Sequence, residues 1–284
     1  MPEENTNQRR LMTIFAHPDD ESFGVAGTIA RARRTGRQVA IVCATRGEEG
    51  QIADPALATP ETLGQVREKE LRAAVSALGV SDLTFLDYID GHLAEVDQQE
   101  ALAKVVYQIR RFRPDVVITF DPKGAYGHVD HIAIHKLAVA GVEAAADPTR
   151  FPEQIGGDVQ PHRVRKVYYT MIPRERLLKM RDEARARGDE EFVPGGDEAT
   201  IPIEEMGLPL AKIQTRIRLD DADFEAKRTA LFAHATQLPK DSPWMKANPE
   251  ELRSFMGSET FFLAPKPISD SDYPMPEDDV FAGL

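Results

Sequence analysis

The sequence predicts a doubly wound α/β fold, a mainly parallel sheet with helices on both faces, carrying a smaller C-terminal α+β cap. Three observations predict it. Short apolar runs alternate with amphipathic stretches of about 15 residues through the first half of the chain, the pattern of a parallel sheet covered on both sides. Two of those runs end abruptly in loops crowded with His, Asp and Glu, where such sheets bind ligands. The second half loses the alternation and gains Gly, Pro and acid, which reads as an appended part rather than more of the same sheet.

The elements follow in order. "LMTIFA" is a buried strand, and a helix runs from Ser22 to Thr35, stopped by Gly36. "QVAIVCAT" is the second strand. "PETLGQVREKELRAAVSALG" is an amphipathic helix that ends at Gly79, and "LTFLD" is a short third strand. Asp97 to Phe112 forms the next helix and Pro114 closes it; "DVVITF" is the fourth strand. Residues 129–146 make an Ala-rich helix and "KVYYTM" a fifth strand. Beyond them, "ARARGDEEFVPGGDEATIPIEEMGLP" reads as a long loop, "IQTRIRL" as a strand with alternating faces, "DDADFEAKRTALFAHATQ" as a helix and "ETFFLA" as a last strand. The expected division is a Rossmann-like catalytic domain over residues 10–172, a cap over 173–265 packed on it, and an extended tail over 266–284, where prolines mix with acids.

Composition narrows the function classes. The 284 residues are 42% apolar and 29% charged, a soluble globular balance. A net charge of −12 argues against non-specific nucleic-acid binding, which needs clustered Lys and Arg. The one dense basic cluster, "RARR", closes a predicted helix, where positive charge suits the helix dipole. No stretch approaches the roughly 20 apolar residues of a membrane span. "MPEENTNQRR" lacks the apolar core of a signal peptide, and Cys43 is a lone cysteine in an apolar run; both fit a cytoplasmic protein. A homo-oligomer is compatible with the composition but not specified by it.

The chemistry concentrates in "HPDDE" after the first strand and "DPKGAYGHVDH" after the fourth. In the common strand order 3-2-1-4-5 those strands are neighbours at the switch point, so the loops face each other across one crevice. Together they offer His17, Asp19, Asp20, Glu21, His128, Asp130 and His131. Two imidazoles and a carboxylate are a common catalytic zinc set with the fourth position left to water, and a free carboxylate beside that water serves as general base. A divalent cation also offsets the mutual repulsion of three adjacent acids. His128 and His131, three apart at a helix start, point to one side; one suits the metal and the other the substrate. Each loop alone also reads as a capped helix start with surface polar residues. His135, four after His131, offers a competing pair, but that pair leaves the acid loop unexplained. His92, His162 and His234 have no comparable setting. Glu48 and Glu49 suit loop structure better than catalysis.

"AHPDDESFG" with "GAYGHVDHIAIH" resembles the zinc-dependent deacetylases of the LmbE/PIG-L type, which remove acetyl from N-acetylglucosaminyl groups and include mycothiol-conjugate amidases. "ATRGEEG", "REKEL", "LDYIDG" and "KRTALFAHATQ" extend the resemblance more weakly. It implies His17, Asp20 and His131 as zinc ligands, a set that iron also accepts. It implies Asp19 as general base, His128 as stabiliser or proton donor at the tetrahedral intermediate, Asp130 as the carboxylate orienting that histidine, and Tyr126 as an aid to the oxyanion. Arg67 and Asp90 are implied as sugar contacts. Val129 stands where relatives often carry proline, a position without chemistry. The implied substrate is a small N-acetylated amino sugar or its conjugate. The alternatives are an amidase for a larger thiol conjugate and a non-catalytic sugar-binding protein of the same fold. Glu21 has no firm role beyond support or a first-turn acid.

Overall fold

A strand buried on both faces can be apolar throughout, and the run after Arg10 is enclosed on all sides: Leu11, Met12 and Ile14 are fully buried. In the computed structural model, which describes residues 9–284 except 189, 241 and 274, this run is β1 (Arg10–Phe15). It pairs in parallel with β2 (Gln38–Cys43) on one side and β4 (Val116–Thr119) on the other. β3 (Asp82–Phe85) joins β2, and β5 (Lys166–Thr170) joins β4, all parallel. β7 (Ser258–Leu263) then pairs antiparallel with β5, and β6 (Thr215–Arg218) antiparallel with β7. The sheet order is β3-β2-β1-β4-β5-β7-β6, so the expected 3-2-1-4-5 arrangement is present and the later strands lengthen the same sheet. The fold is α/β with a mostly parallel sheet.

The helices divide by crossover direction. α2 (Ala26–Arg34) and α3 (Leu63–Ala77) connect the strands on the β1–β3 side, and both pack against α7 (Asp221–Ala233). α4 (Gln98–Phe112) and α5 (Val129–Ala146) pack against each other on the return side. Arg110 of α4 is fully buried; its guanidinium donates to the carbonyls of Ala144, Ala145, Asp147, Arg150 and Phe151, satisfying the C-terminal end of α5.

Three segments differ from the sequence reading or add to it. The single helix expected from Ser22 to Thr35 is two, a short α1 (Asp20–Gly24) and then α2, broken at Val25 with φ −147°. The break is held by Glu259 of β7, whose carboxylate accepts from the backbone N–H of Gly27 (2.9 Å) and of Thr28 (2.8 Å) at the start of α2. α6 (Arg174–Ala186) lies in a stretch with no helix expected; only Leu177 and Ala184 are buried, so there is no apolar stripe to read. Part of the tail joins the sheet edge: Glu277 exchanges backbone hydrogen bonds with Gln214 and Arg216 beside β6, and its buried carboxylate meets Lys166 and Tyr168. No helix among the described residues is long and apolar enough to cross a membrane.

Candidate metal centre

β1 and β4 are adjacent and the sheet's connections depart in opposite directions from them, so the loops after Phe15 and Thr119 meet over the strands' carboxyl ends. The first loop turns tightly. The backbone N–H of His17 donates to Asp20 Oδ2 at 2.8 Å, and Asp19 takes φ 108°, a left-handed conformation that costs a non-glycine residue energy. From the second loop, His128 forms the N-cap of α5, its Nδ1 accepting from the backbone N–H of Asp130 at 3.1 Å. His131 follows one turn in, and the Phe120 ring stacks on it at 3.8 Å between centroids.

Three groups of metal-ligating type then converge. His17 Nδ1 lies 3.2 Å from His131 Nε2. Asp20 Oδ1 is 3.4 Å from His131 Nε2, and Asp20 Oδ2 is 3.8 Å from His17 Nδ1. Donors around a tetrahedral metal at about 2.0–2.1 Å are about 3.3 Å apart, so these groups fit one divalent cation. His128 also brings a nitrogen within 4.8 Å of His17 and His131, and Asp90 and Asp130 form a second such group with His17.

The charges favour the same reading. Burial opposes a proton on His17, but Asp130, Asp90 and Asp20 outweigh it and lift its pKa to about 10. Burial likewise opposes ionisation of Asp20, yet His131 and His17 hold its pKa at about 2. The carboxylates that draw a proton onto His17 would attract a metal cation in its place. On the far side of the ring, His17 Nε2 is 2.8 Å from Asp90 Oδ1 and 3.5 Å from Asp130 Oδ2. A carboxylate behind a ring nitrogen fixes the tautomer that leaves the other nitrogen free to ligate.

The remaining residues take places the sequence did not foretell. Asp130, expected to orient His128, instead has its carboxylate accepting from the backbone N–H of Gly91 (2.7 Å) and Leu93 (3.0 Å), while its own backbone N–H donates to His128 Nδ1. The first turn of a helix points neighbouring side chains to different sides, which separates the two. Asp90, expected at the sugar, has Oδ1 2.8 Å from His17 Nε2. Arg67 is 3% exposed; Nη1 donates to Gly47 O at 2.9 Å, while Nη2 donates to Pro18 O at 2.7 Å and to Asp19 Oδ2 at 3.3 Å. Burial raises Asp19 and the Arg67 guanidinium draws it back, leaving its carboxyl at about 6. Tyr126 lies beside His131, ring centroids 5.1 Å apart, and its phenol is held well above the usual range, first by burial and then by nearby Asp20 and Glu198.

Glu198 was not among the sequence candidates. It reaches in from the 188–212 segment, accepting from the Tyr126 hydroxyl at 3.3 Å and facing His128 Nε2 at 3.9 Å. Thr200 docks that segment by donating from N to Tyr126 O (3.0 Å) and from Oγ1 to Gly127 O (2.7 Å). Neither residue shows in a periodicity or a motif. Lys227, in "KRTALFAHATQ", donates to Phe23 O at 2.9 Å and to Glu259 at 2.6 Å, tying α7 to the end of α1.

Residues 12–142 match the model of the family described as PIG-L, GlcNAc-PI de-N-acetylase. A 1D-myo-inositol 2-acetamido-2-deoxy-alpha-D-glucopyranoside deacetylase from Thermobispora bispora is 38% identical, the match covering 90% of this chain and 88% of that one. A mycothiol S-conjugate amidase from Streptomyces coelicolor is 33% identical over 98% of both. Among solved structures, an N,N'-diacetylchitobiose deacetylase from Pyrococcus horikoshii superposes with a TM-score of 0.65 at 23% identity, covering 90% of this chain and 84% of that one. Relatives this similar over nearly the whole chain, matching through the two loops that meet beyond β1 and β4, make the chain a member of the PIG-L family.

Proposed function

We propose that the protein is a zinc-dependent amidohydrolase that removes the acetyl group from an N-acetylglucosamine-type sugar or conjugate. The observation that carries the reading is the convergence of His17 Nδ1, His131 Nε2 and the Asp20 carboxylate within 3.2–3.8 Å, with Asp19 beside them. His17, Asp20 and His131 hold the metal in this reading; two imidazoles and one carboxylate with an open fourth position are a zinc hydrolase set that iron also accepts. When bound, the metal supplies Lewis acidity toward the acetamide and makes water acidic near neutral pH.

The chain's own residues do the rest. Asp19, with a carboxyl at about 6, is ionised at neutral pH yet basic enough to take the proton of the attacking water. Arg67 holds that carboxylate from behind. His128 is kept neutral, its pKa lowered by burial and by the nearby His17 and His131. Because Nδ1 accepts from the backbone N–H of Asp130, the ring proton sits on Nε2, which faces the pocket and donates to the developing oxyanion. The Tyr126 hydroxyl, protonated at neutral pH, becomes a second donor there by turning its one O–H from Glu198 to the oxyanion. The proton taken by Asp19 is then returned to the departing amine nitrogen as the C–N bond breaks. Asp90 and Asp130 keep the His17 ring in place.

The same bond chemistry serves an amide with a larger acyl group, a reading favoured by the likeness to the Streptomyces amidase over 98% of both chains. A cytoplasmic location belongs to the proposal, supported by the buried, unpaired Cys43. The test is amine release from N-acetylglucosaminyl-inositol, chito-oligosaccharides and thiol conjugates. Release from an acetamido sugar is expected. Release from none of them, by protein shown to carry metal, overturns the proposal.

A further inference from the structure

Asp19 is an unusual place for a base to stand. Its φ of 108° belongs to a left-handed region that L side chains rarely adopt, so something around it must hold it there. Arg67 restrains only its carboxylate and the preceding carbonyl. Its backbone N–H donates to Glu21 Oε2 at 3.1 Å. The other oxygen of that carboxylate, Oε1, accepts from the Ser22 hydroxyl at 2.5 Å and lies 2.9 Å from His234 Nε2. Glu21 is 2% exposed and His234 fully buried. His234 caps the end of α7, which Lys227 ties to the carbonyl of Phe23 just beyond Glu21. His234 Nδ1 is buried without a partner, so the ring gains only if its proton is on Nε2 and points at Glu21.

We infer that His234 and Glu21 are a positioning pair for the base: His234 fixes the Glu21 carboxylate, and Glu21 pins the backbone of Asp19 in its left-handed conformation. This reading rests on the proposed function and goes beyond it, because neither residue is among the metal-holding or proton-carrying groups of that reading. A helix-capping acid needs no buried histidine behind it; a base whose direction decides the rate does. Glu21 belongs to the loop itself, and His234 supports it from the second half of the chain.

Two measurements on the metal-loaded full-length protein test the pair. Hydrogen exchange of the Asp19 amide, read on a peptide spanning residues 17–23, is slow in the wild type and at least ten-fold faster in His234→Ala. His234→Gln, whose amide nitrogen stands near the position of Nε2, restores most of the protection. In turnover, His234→Ala lowers kcat by about 10–100-fold with KM changed by less than about three-fold and the metal content unchanged, and His234→Gln recovers most of kcat. Glu21→Gln, an even smaller change, gives intermediate values for both readouts. Unaltered exchange at Asp19 in His234→Ala overturns the pair whatever the enzyme acts on. Loss of metal together with loss of rate, not rescued by His234→Gln, also overturns it, because it makes the contact a general support of the fold. If the wild type turns over no acetamide, the functional reading fails, and exchange alone still decides the pair.

Discussion

Arg67 donates to Asp19 from inside the protein: Nη2 stands 3.3 Å from the Asp19 carboxylate and 2.7 Å from the Pro18 carbonyl, while the residue is 3% exposed. The cation therefore holds the base and the turn that carries it in one grip. Arg67→Lys removes the fork that spans these acceptors and is expected to lower kcat about 100-fold with metal retained. A Cβ on Gly47, at φ +69°, would stand 2.1 Å from Arg67 Nη1, so Gly47→Ala should show the same loss without touching a charged residue. Steady-state rates and metal content check both; wild-type kcat in either variant contradicts the grip.

His128 does two jobs that one substitution separates. Its Nδ1 caps α5, and its Nε2 faces the pocket. Asn is among the best N-cap residues but has no donor at the Nε2 position. His128→Asn is therefore expected to keep the wild-type melting temperature and to lose about 100–1,000-fold in kcat. Thermal melting and rate together check it. A fall in stability with an unchanged rate would make the residue a cap only.

His162 gives a pH dependence of stability away from the site. Burial lowers its pKa, against the pull of the Pro114 carbonyl, to which Nε2 lies 2.7 Å. Above the unfolded value near 6.5 the ring is neutral in both states, so it contributes no pH dependence. As pH falls through that value the unfolded chain binds a proton that the folded chain does not, and folding stability declines down to the lowered folded pKa. His162→Gln keeps an amide donor for Pro114 and cannot titrate. The loss of melting temperature between about pH 7.5 and pH 5.5 should therefore be smaller in the variant. Equal losses in the two proteins contradict the assignment.

Lys166 at the start of β5 is fully buried, and its ammonium meets Glu277 from the C-terminal segment and the Ala282 carbonyl at 2.6 Å. Removing one partner of a buried pair strands the other. Glu277→Ala is expected to cost about 3–5 kcal/mol in denaturant unfolding while leaving the distant metal loops intact. A change below about 1 kcal/mol would mean that the segment adds little to the fold.

The parallel half of the fold was legible because its central strands β1 and β4 are buried on both faces, so "LMTIFA" and "DVVITF" stand out from their amphipathic helices. The break at Val25 was not, since it depends on Glu259, more than 200 residues later in the chain. α6 was hidden because its polar sequence buries almost nothing. Within the site, the two loops announced their ligand types, and adjacency of β1 and β4 followed from the order of strands. What each carboxylate faces did not follow. Asp90 arrives behind His17 by way of the connection after β3, and Asp130 turns toward the Gly91 and Leu93 amides. Such contacts join loops from three strand ends, and nothing in one loop's spacing encodes the others. Glu198 was beyond reach for a similar reason: its position depends on Thr200 docking against the backbone of Tyr126 and Gly127.

The central claim is that a cation between His17, Asp20 and His131 enables hydrolysis of an acetamide. The most direct measurement is amine release from an N-acetylglucosaminyl substrate before chelation, after chelation confirmed by elemental analysis, and after adding back zinc. Turnover should vanish with the metal and return with it, and Asp20→Ala should neither retain metal nor recover. Full turnover by metal-free protein would contradict the account.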